Sequence, residues 1–189
     1  DIGEEITHIG SWAFANCTGV TTLELPFVLR SMGSYAFYNC TGLETVSIPA
    51  TVKTIGEYAF SGCTSLADVT LPEGLTAISS NAFSGCTSLA DVTLPAGVEK
   101  LGNSVFSGCT ALESINIPKD VTISGSSYTS YSSSYYSPFA NSGIKAVTFD
   151  EGTTKIASGL FSHVSGIENI EIPEGVTEIG AGAFYNCSG

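Results

Sequence analysis

One unit of the sequence decides the fold: Val52-Lys53-Thr54-Ile55-Gly56-Glu57-Tyr58-Ala59-Phe60-Ser61-Gly62-Cys63-Thr64-Ser65-Leu66-Ala67-Asp68-Val69-Thr70-Leu71-Pro72. The same frame recurs along the chain, with its phenylalanine at positions 14, 37, 60, 83, 106, 139, 161 and 184. The spacing is 23 residues, except for 33 between positions 106 and 139 and 22 between positions 139 and 161. Eight registers and one insertion predict a repeat architecture.

The end of each unit predicts a short strand. Val69 and Leu71 are apolar while Asp68 and Thr70 are polar, which is the alternation of a strand with one buried face, and Pro72 ends it. Because each unit supplies one strand, successive units can pair only in parallel, at roughly 4.8 Å per coil. Residues 55–63 predict turns or 3₁₀ segments on the opposite side. The chain is therefore expected to be a solenoid with the phenylalanines as the spine of its core.

A family resemblance follows from the strand signature Leu43-Glu44-Thr45-Val46-Ser47-Ile48, from Pro49, and from the Val-x-x-Ile-Gly-x-x-Ala-Phe-x-x-Cys pattern after it. Together they resemble the BspA-like bacterial class of leucine-rich repeats, and nearly the whole chain carries them. The resemblance implies one leucine-rich-repeat solenoid over residues 1–189. We expect a right-handed coil stack with about seven short parallel strands on the concave face and turns on the convex face.

The same resemblance implies an extracellular or cell-surface protein whose repeats adhere to host proteins, matrix or other cells. Neither end of the chain carries the atypical repeat that caps such a stack. We therefore expect the chain to be a fragment of a longer array, flanked by more coils or by another domain.

Charge and composition exclude some classes of partner. The chain has 18 acidic residues against six Lys and Arg, a net charge of -12. A surface this acidic repels phosphate backbones and anionic lipid headgroups, so nucleic acid is not an expected partner. No run of 18 apolar residues occurs, so we expect no membrane insertion. The first residues also lack the basic and apolar regions of a signal peptide.

The cysteines form a column in the repeat. They stand at positions 17, 40, 63, 86, 109 and 187, each three residues after a phenylalanine, where two other registers have Ser142 and Val164. A position that accepts Cys, Ser or Val selects for size and burial, so we predict packing and no metal site. Disulfides or a metal remain the alternative, since evenly spaced cysteines can also form such frameworks.

No arrangement of residues indicates catalysis. His8 and His163 are the only histidines, about seven coils and roughly 30 Å apart, and nucleophile elbows and phosphate-binding glycine loops are absent. We therefore predict that the chain is not an enzyme and needs no cofactor. Asp68 and Asp91 fall at the same strand position of consecutive coils, which repetition alone explains; a weak calcium contact is the alternative.

Two regular surfaces are candidate binding sites. The outward positions of the strands should form polar rows on the concave face, and from them we select Asp68, Thr70, Asp91, Thr93 and Asn116 as candidate ligand-binding residues. The alternative is a solvated face, since these rows contain no aromatic side chain. A second row, Trp12, Tyr35 and Tyr58, is either a contact patch, for a partner or for further N-terminal coils, or a set of rings lying over neighbouring coils.

The insertion is the third candidate site. It falls within residues 124–137, which are rich in Ser and Gly and contain Tyr128, Tyr131, Tyr135 and Tyr136. Insertions in repeat proteins lie in loops on one face, often the binding face, and a Tyr and Ser mixture resembles antibody paratopes. We predict these four tyrosines as candidate ligand-binding residues. The alternative is a tolerated surface loop without a binding role.

The leading hypothesis is a non-catalytic surface or secreted module that binds host or extracellular proteins. Its alternative is a structural spacer that presents other domains. A third hypothesis, carbohydrate binding, predicts binding to glycans that is lost when Tyr131 or Tyr135 is replaced by Ala.

Overall fold

The computed structural model describes residues 2–124 and 137–189, and there the chain is a parallel-strand solenoid of about seven coils. In those two ranges no segment is helical. Fourteen short strands are present in these ranges: β1 His8–Ile9, β2 Thr22–Leu23, β3 Ser31–Met32, β4 Thr45–Ser47, β5 Thr54–Ile55, β6 Asp68–Thr70, β7 Ala77–Ile78, β8 Lys100–Leu101, β9 Ser114–Ile117, β10 Thr122–Ile123, β11 Ala146–Phe149, β12 Lys155–Ile156, β13 Asn169–Ile170 and β14 Glu178–Ile179.

The predicted sheet lies on the concave face. It consists of β2-β4-β6 and β9-β11-β13, with every pair parallel, and a single bridge joins Asp68 of β6 to Asp91 of the next coil. In β4 and β6 the middle residues Val46 and Val69 are buried while their neighbours are exposed. We call β2, β4, β6, Asp91, β9, β11 and β13 the concave sheet. The predicted alternation and parallel pairing are confirmed.

A second ladder of two-residue strands was not predicted. It pairs β1 with β3, then β5-β7-β8-β10 in one sheet, and β12 with β14, again all parallel. In β5 the residue Thr54 is exposed and Ile55 is buried. Two residues are too few to show a strand's alternation in the sequence, so only coil stacking reveals them.

The opposite side of each coil consists of turns. We call the convex turns the described segments 10–18, 33–41, 56–64, 79–87, 102–110, 137–142, 157–165 and 180–188. In each turn, amides bond to carbonyls three residues back, as from Cys63 N to Phe60 O at 3.2 Å. The phenylalanine amide also bonds to the next coil, as from Phe60 N to Ala82 O at 2.8 Å. The convex side is therefore a hydrogen-bonded ladder of turns.

The phenylalanines form the predicted spine. Six of them, at positions 37, 60, 83, 106, 139 and 161, are essentially fully buried, and neighbouring rings stack 5.2–5.8 Å apart. Phe14 and Phe184, in the outermost described coils, are only partly buried because each has a neighbouring ring on one side alone. The core is thus one continuous stack rather than a set of separate clusters.

Candidate functional site

The concave sheet presents its outward side chains in rows. Parallel register places Thr45 beside Asp68 and Ser47 beside Thr70, with Asp91 beside Asp68 in the following coil. Asp68, Thr70, Asp91 and Thr93 are all exposed. They line a cavity of about 260 Å³ together with Glu73 and Pro95. The structure therefore brings four of the candidate residues together in one open depression.

Asn116 is placed differently from the other candidates. It lies on β9 but is only half-exposed, because its side-chain amide donates to the Asp150 carboxylate at 2.6 Å and accepts from the Thr148 hydroxyl at 2.8 Å. Asp150 stands at the register where other coils have proline. This network joins β9 to the end of β11 across the insertion, which gives Asn116 a structural role in the fold.

The concave sheet and its flanking positions carry mainly negative charge. Eight acidic residues lie here against one lysine, Lys145: Glu24, Glu44, Asp68, Asp91, Glu113, Asp150, Glu168 and Glu171. Lys145 forms an ion pair with Glu113 at 2.8 Å, which raises the pKa of Lys145 and lowers that of Glu113. Both partners are exposed, so the pair adds little to stability. The remaining carboxylates give the face a negative potential.

The concave sheet is interrupted in the fourth coil. Within the described residues, the fourth coil contributes no strand between β6 and β9, and Asp68 of β6 makes a single bridge to Asp91 of that coil. The two aspartates lie directly side by side, and like charges at such positions destabilise a ladder. The second ladder continues past this point through β5, β7, β8 and β10.

We expect Asp91→Thr to stabilise the chain, because it removes the like-charge contact and installs the residue that Thr45 provides in the second coil. The melting temperature should rise by about 1–2 °C. The reverse change, Thr45→Asp, extends the run of adjacent carboxylates and should lower it. Thermal unfolding at low salt measures the melting temperatures of both variants. An unchanged or lower melting temperature for Asp91→Thr would contradict the electrostatic explanation.

The cysteine column is a packing feature. Five thiols donate to the carbonyl of the phenylalanine in the preceding coil, as from Cys63 Sγ to Phe37 O at 3.2 Å. All six cysteines are free. Burial raises the pKa of the Cys86 thiol well above its usual value and that of Cys109 to about 12, so both are held protonated and unreactive. Packing, rather than a disulfide framework, accounts for the column.

Replacing Cys63 with Ser should be mild. Ser142 already occupies the same register with its buried hydroxyl unpaired, so the fold tolerates a serine there even though the bond from Cys63 to the Phe37 carbonyl is lost. We expect a loss of about 1–2 kcal/mol in the free energy of unfolding, measured by urea denaturation. A reducing agent should change nothing in the native protein. A loss as severe as that of a core phenylalanine, or one caused by reduction, would instead indicate a disulfide.

The aromatic row consists of stacked rings. Trp12 and Tyr35 lie 4.0 Å apart at 4°, and Tyr35 and Tyr58 lie 4.6 Å apart at 5°. Tyr38 meets Trp12 and Tyr35 edge-on at 5.9 Å and 5.5 Å. The rings therefore lie over neighbouring coils, as one of the two predicted alternatives required.

Sequence reasoning missed an exposed phenylalanine. Phe27 is 75 % exposed in the turn after Pro26, where later coils have Ala50, Glu73 and Ala96. It borders a cleft of about 550 Å³ that is lined by Glu4, Glu5, Thr7, Phe27, Val28, Arg30 and Thr51. The signal in the sequence was a bulky apolar residue at a turn position where the other coils have small or charged residues.

The four candidate tyrosines of the insertion, Tyr128, Tyr131, Tyr135 and Tyr136, lie outside the described residues. The segment's two flanks are anchored. Ser124 N donates to Leu101 O at 2.8 Å, and the buried Ser137 hydroxyl donates to the Leu160 carbonyl. Within the described ranges, no group of three His, Cys, Asp or Glu side chains is close enough to hold a metal ion. These ranges also contain no helix long and apolar enough to cross a membrane.

The coil stack, its parallel concave sheet and its open polar face define a leucine-rich-repeat solenoid, a class of protein-interaction modules that is generally non-catalytic. A model of the BspA type leucine rich repeat region matches residues 1–107, 30–137 and 132–189, with six copies of the repeat. The chain therefore belongs to the BspA-type leucine-rich repeat family.

Solved structures agree with this assignment. The leucine-rich repeat protein of T. pallidum is 28 % identical over 92 % of this chain, with a TM-score of 0.64, and a leucine-rich repeat protein from Bacteroides ovatus is 31 % identical over 93 %, with a TM-score of 0.58. The chain spans 73 % and 49 % of those two proteins. No curated protein is significantly similar in sequence.

Proposed function

We propose that this chain is a non-catalytic binding module, displayed on or secreted from a bacterial cell, that adheres to host or other extracellular proteins. The observation that carries the proposal is the concave sheet, where exposed side chains stand in fixed register above a fully buried core. A contact surface that is already ordered loses little conformational entropy when it binds. The extracellular address is supported by membership of the BspA-type family.

The charge of the concave sheet narrows the kind of partner. The cavity between the third and fourth coils contains Asp68, Glu73 and Asp91, with no basic residue among its lining. Complementary potentials accelerate association and reject wrongly charged partners. The proposed partner is therefore a protein that presents a basic patch or a basic extended segment to this face.

The test compares two variants with the same change of charge. Asp91→Lys reverses a charge on the concave sheet, and Glu57→Lys reverses one on a convex turn. Each is compared with the native chain in pull-downs from extracellular-matrix and mucosal extracts, followed by affinity measurements at low and moderate salt. We expect Asp91→Lys to weaken capture by about tenfold or more, and Glu57→Lys to leave it nearly unchanged.

Equal losses for the two variants would show that only the overall negative field matters and would contradict a site on the concave sheet. The spacer hypothesis makes a separate prediction, because a spacer captures nothing from either extract. Retention of no partner by the native chain would therefore favour the spacer.

A further inference from the structure

The cleft beside Phe27 lies at the turns that follow the first concave strands, and we call it the lateral cleft. Its volume of about 550 Å³ is about twice that of the depression on the concave sheet. None of its lining residues belongs to the concave sheet. The lateral cleft is therefore a separate surface with its own chemistry.

Hydrogen bonds hold the walls of the lateral cleft in place. The backbone amide of Arg30 donates to the Thr7 carbonyl at 2.8 Å, which joins the second coil to the first. From the third coil, the Thr51 hydroxyl lies within hydrogen-bonding distance of the carbonyls of Phe27 and Leu29. The backbone around the cleft is therefore ordered before a ligand arrives, which lowers the entropic cost of binding.

Phe27 and Val28 supply an apolar surface in the lateral cleft. Phe27 is 75 % exposed and Val28 is half-buried, so both can contact a ligand. Other coils have small or charged residues at the register of Phe27, so the fold does not need a ring there. An exposed aromatic ring also attracts a neighbouring cation. This departure from the repeat gives the cleft a surface suited to the apolar stem of a charged side chain.

Charges of both signs border this apolar surface. The parallel register of the first two coils places Glu4 and Glu5 beside Phe27 and Val28. Arg30 lies farther along the chain, directly before β3. All three charged side chains are exposed, and none takes part in the ion pairs of the described residues. Their charges are therefore available to a ligand and are not neutralised by each other.

This combination favours a ligand that carries both charges. A purely basic ligand is repelled by Arg30, and a purely acidic one is repelled by Glu4 and Glu5. A purely apolar ligand leaves all three charges desolvated without a partner. A lysine at the carboxyl end of a chain has the required form, because an apolar stem of methylene groups separates its ε-ammonium from its carboxylate.

We propose that the lateral cleft binds the C-terminal lysine of a peptide or protein. The ε-ammonium pairs with the carboxylates of Glu4 and Glu5, and the methylene stem packs on Phe27 and Val28. The Arg30 guanidinium donates to the terminal carboxylate. Each of these ion pairs is weak in an exposed cleft, so binding requires all three contacts together. The site does not depend on the partner proposed for the concave sheet.

The experiment titrates the 189-residue chain with the peptide acetyl-Gly-Ser-Gly-Lys, which ends in a free carboxylate, by isothermal calorimetry. Two matched peptides each lack one charge: one ends in an amide, and the other has an acetylated ε-amino group. The compound ε-aminocaproate, which is lysine without its α-amino group, serves as a competitor.

We expect the free-carboxylate peptide to bind with a dissociation constant of about 0.1–1 mM, and ε-aminocaproate to displace it. The two matched peptides should bind about tenfold more weakly or less. The amide peptide is the decisive comparison, because the overall field of a chain of net charge -12 attracts this cation more than the neutral peptide. Equal or tighter binding of the amide would therefore overturn the proposal, as would a free-carboxylate peptide that does not bind.

Variants of the chain locate the site. Phe27→Ala, Arg30→Thr and the double change of Glu4 and Glu5 to Gln should each weaken binding about tenfold or more, since each removes one of the three contacts. All three should fold, because the altered side chains are exposed and other coils have threonine at the register of Arg30.

The matched controls make the same changes of charge outside the lateral cleft. Lys53→Thr removes a cation at the register of Arg30 in the next coil, and the double change of Glu151 and Glu174 to Gln removes two carboxylates from later turns. Both controls should change the dissociation constant by less than about twofold. Equal weakening by the controls, or undiminished binding by Phe27→Ala, would overturn the lateral cleft as the site.

Discussion

Phe83→Ala should lower the free energy of unfolding by about 3–5 kcal/mol, the usual cost of truncating a fully buried aromatic. Phe83 is 0 % exposed and stacks between Phe60 at 5.4 Å and Phe106 at 5.5 Å, so its removal leaves a cavity that both neighbours border. The residue lies in the fourth coil, where the concave sheet is already reduced to one bridge. Because each coil contacts only its neighbours, this weakness should separate the two halves of the stack on heating.

Urea and thermal unfolding measure the effect, and the matched control is Phe27→Ala. Phe27 is 75 % exposed, so its truncation should change the free energy of unfolding by no more than about 0.5 kcal/mol. Similar losses for the two variants would contradict the phenylalanine spine as the main source of stability.

Replacing residues 125–136 with a short Gly/Ser linker should abolish capture of any partner bound by the insertion, while the melting temperature stays nearly unchanged. Stability should survive because Ser124 and Ser137, which flank the replaced segment, keep their hydrogen bonds to Leu101 and Leu160. Binding should be lost because tyrosines are among the side chains that contribute most to protein interfaces. Pull-downs from matrix and mucosal extracts measure the capture of the partner, and the Asp91→Lys variant is tested in the same experiment.

A second form of the insertion separates chemistry from length. Tyr128, Tyr131, Tyr135 and Tyr136 are all changed to Ser in the full-length loop, which keeps its span and removes its aromatic rings. Loss of capture with both the linker form and the Tyr→Ser form would support binding through the tyrosines. Equal capture by the native chain and both forms would assign the partner to the concave sheet, and glycan-array signals that depend on Tyr131 or Tyr135 would favour carbohydrate binding.

Repetition explains how much of the fold is predictable from the sequence. The spacing of Phe60, Phe83 and their equivalents fixes the coil length, and alternation around Val69 fixes the buried face of the concave strand. The two-residue strand Thr54–Ile55 carries too little pattern to recognise. A tyrosine gives no sign of a left-handed backbone, so the positive φ of Tyr58 cannot be predicted from that residue. Gly159 and Gly182 at the same register do indicate it.

The candidate sites are less predictable, because they depend on departures from the repeat. Register alone places Asp68 beside Asp91. The bond between Asn116 and Asp150 joins residues 34 apart across the insertion, so the regular period could not reveal it. Tyr128 and its neighbours stay a prediction from composition.

The two ladders have a mechanical consequence. Their hydrogen bonds run from coil to coil, so a pull applied to the two chain ends loads the bonds of one outer coil at a time rather than all coils together. Each coil that peels away releases 23 residues, or about 80 Å of extended chain, while the rest of the stack remains folded. We expect such a solenoid to yield under force in small successive steps, as an extensible tether that resists abrupt rupture.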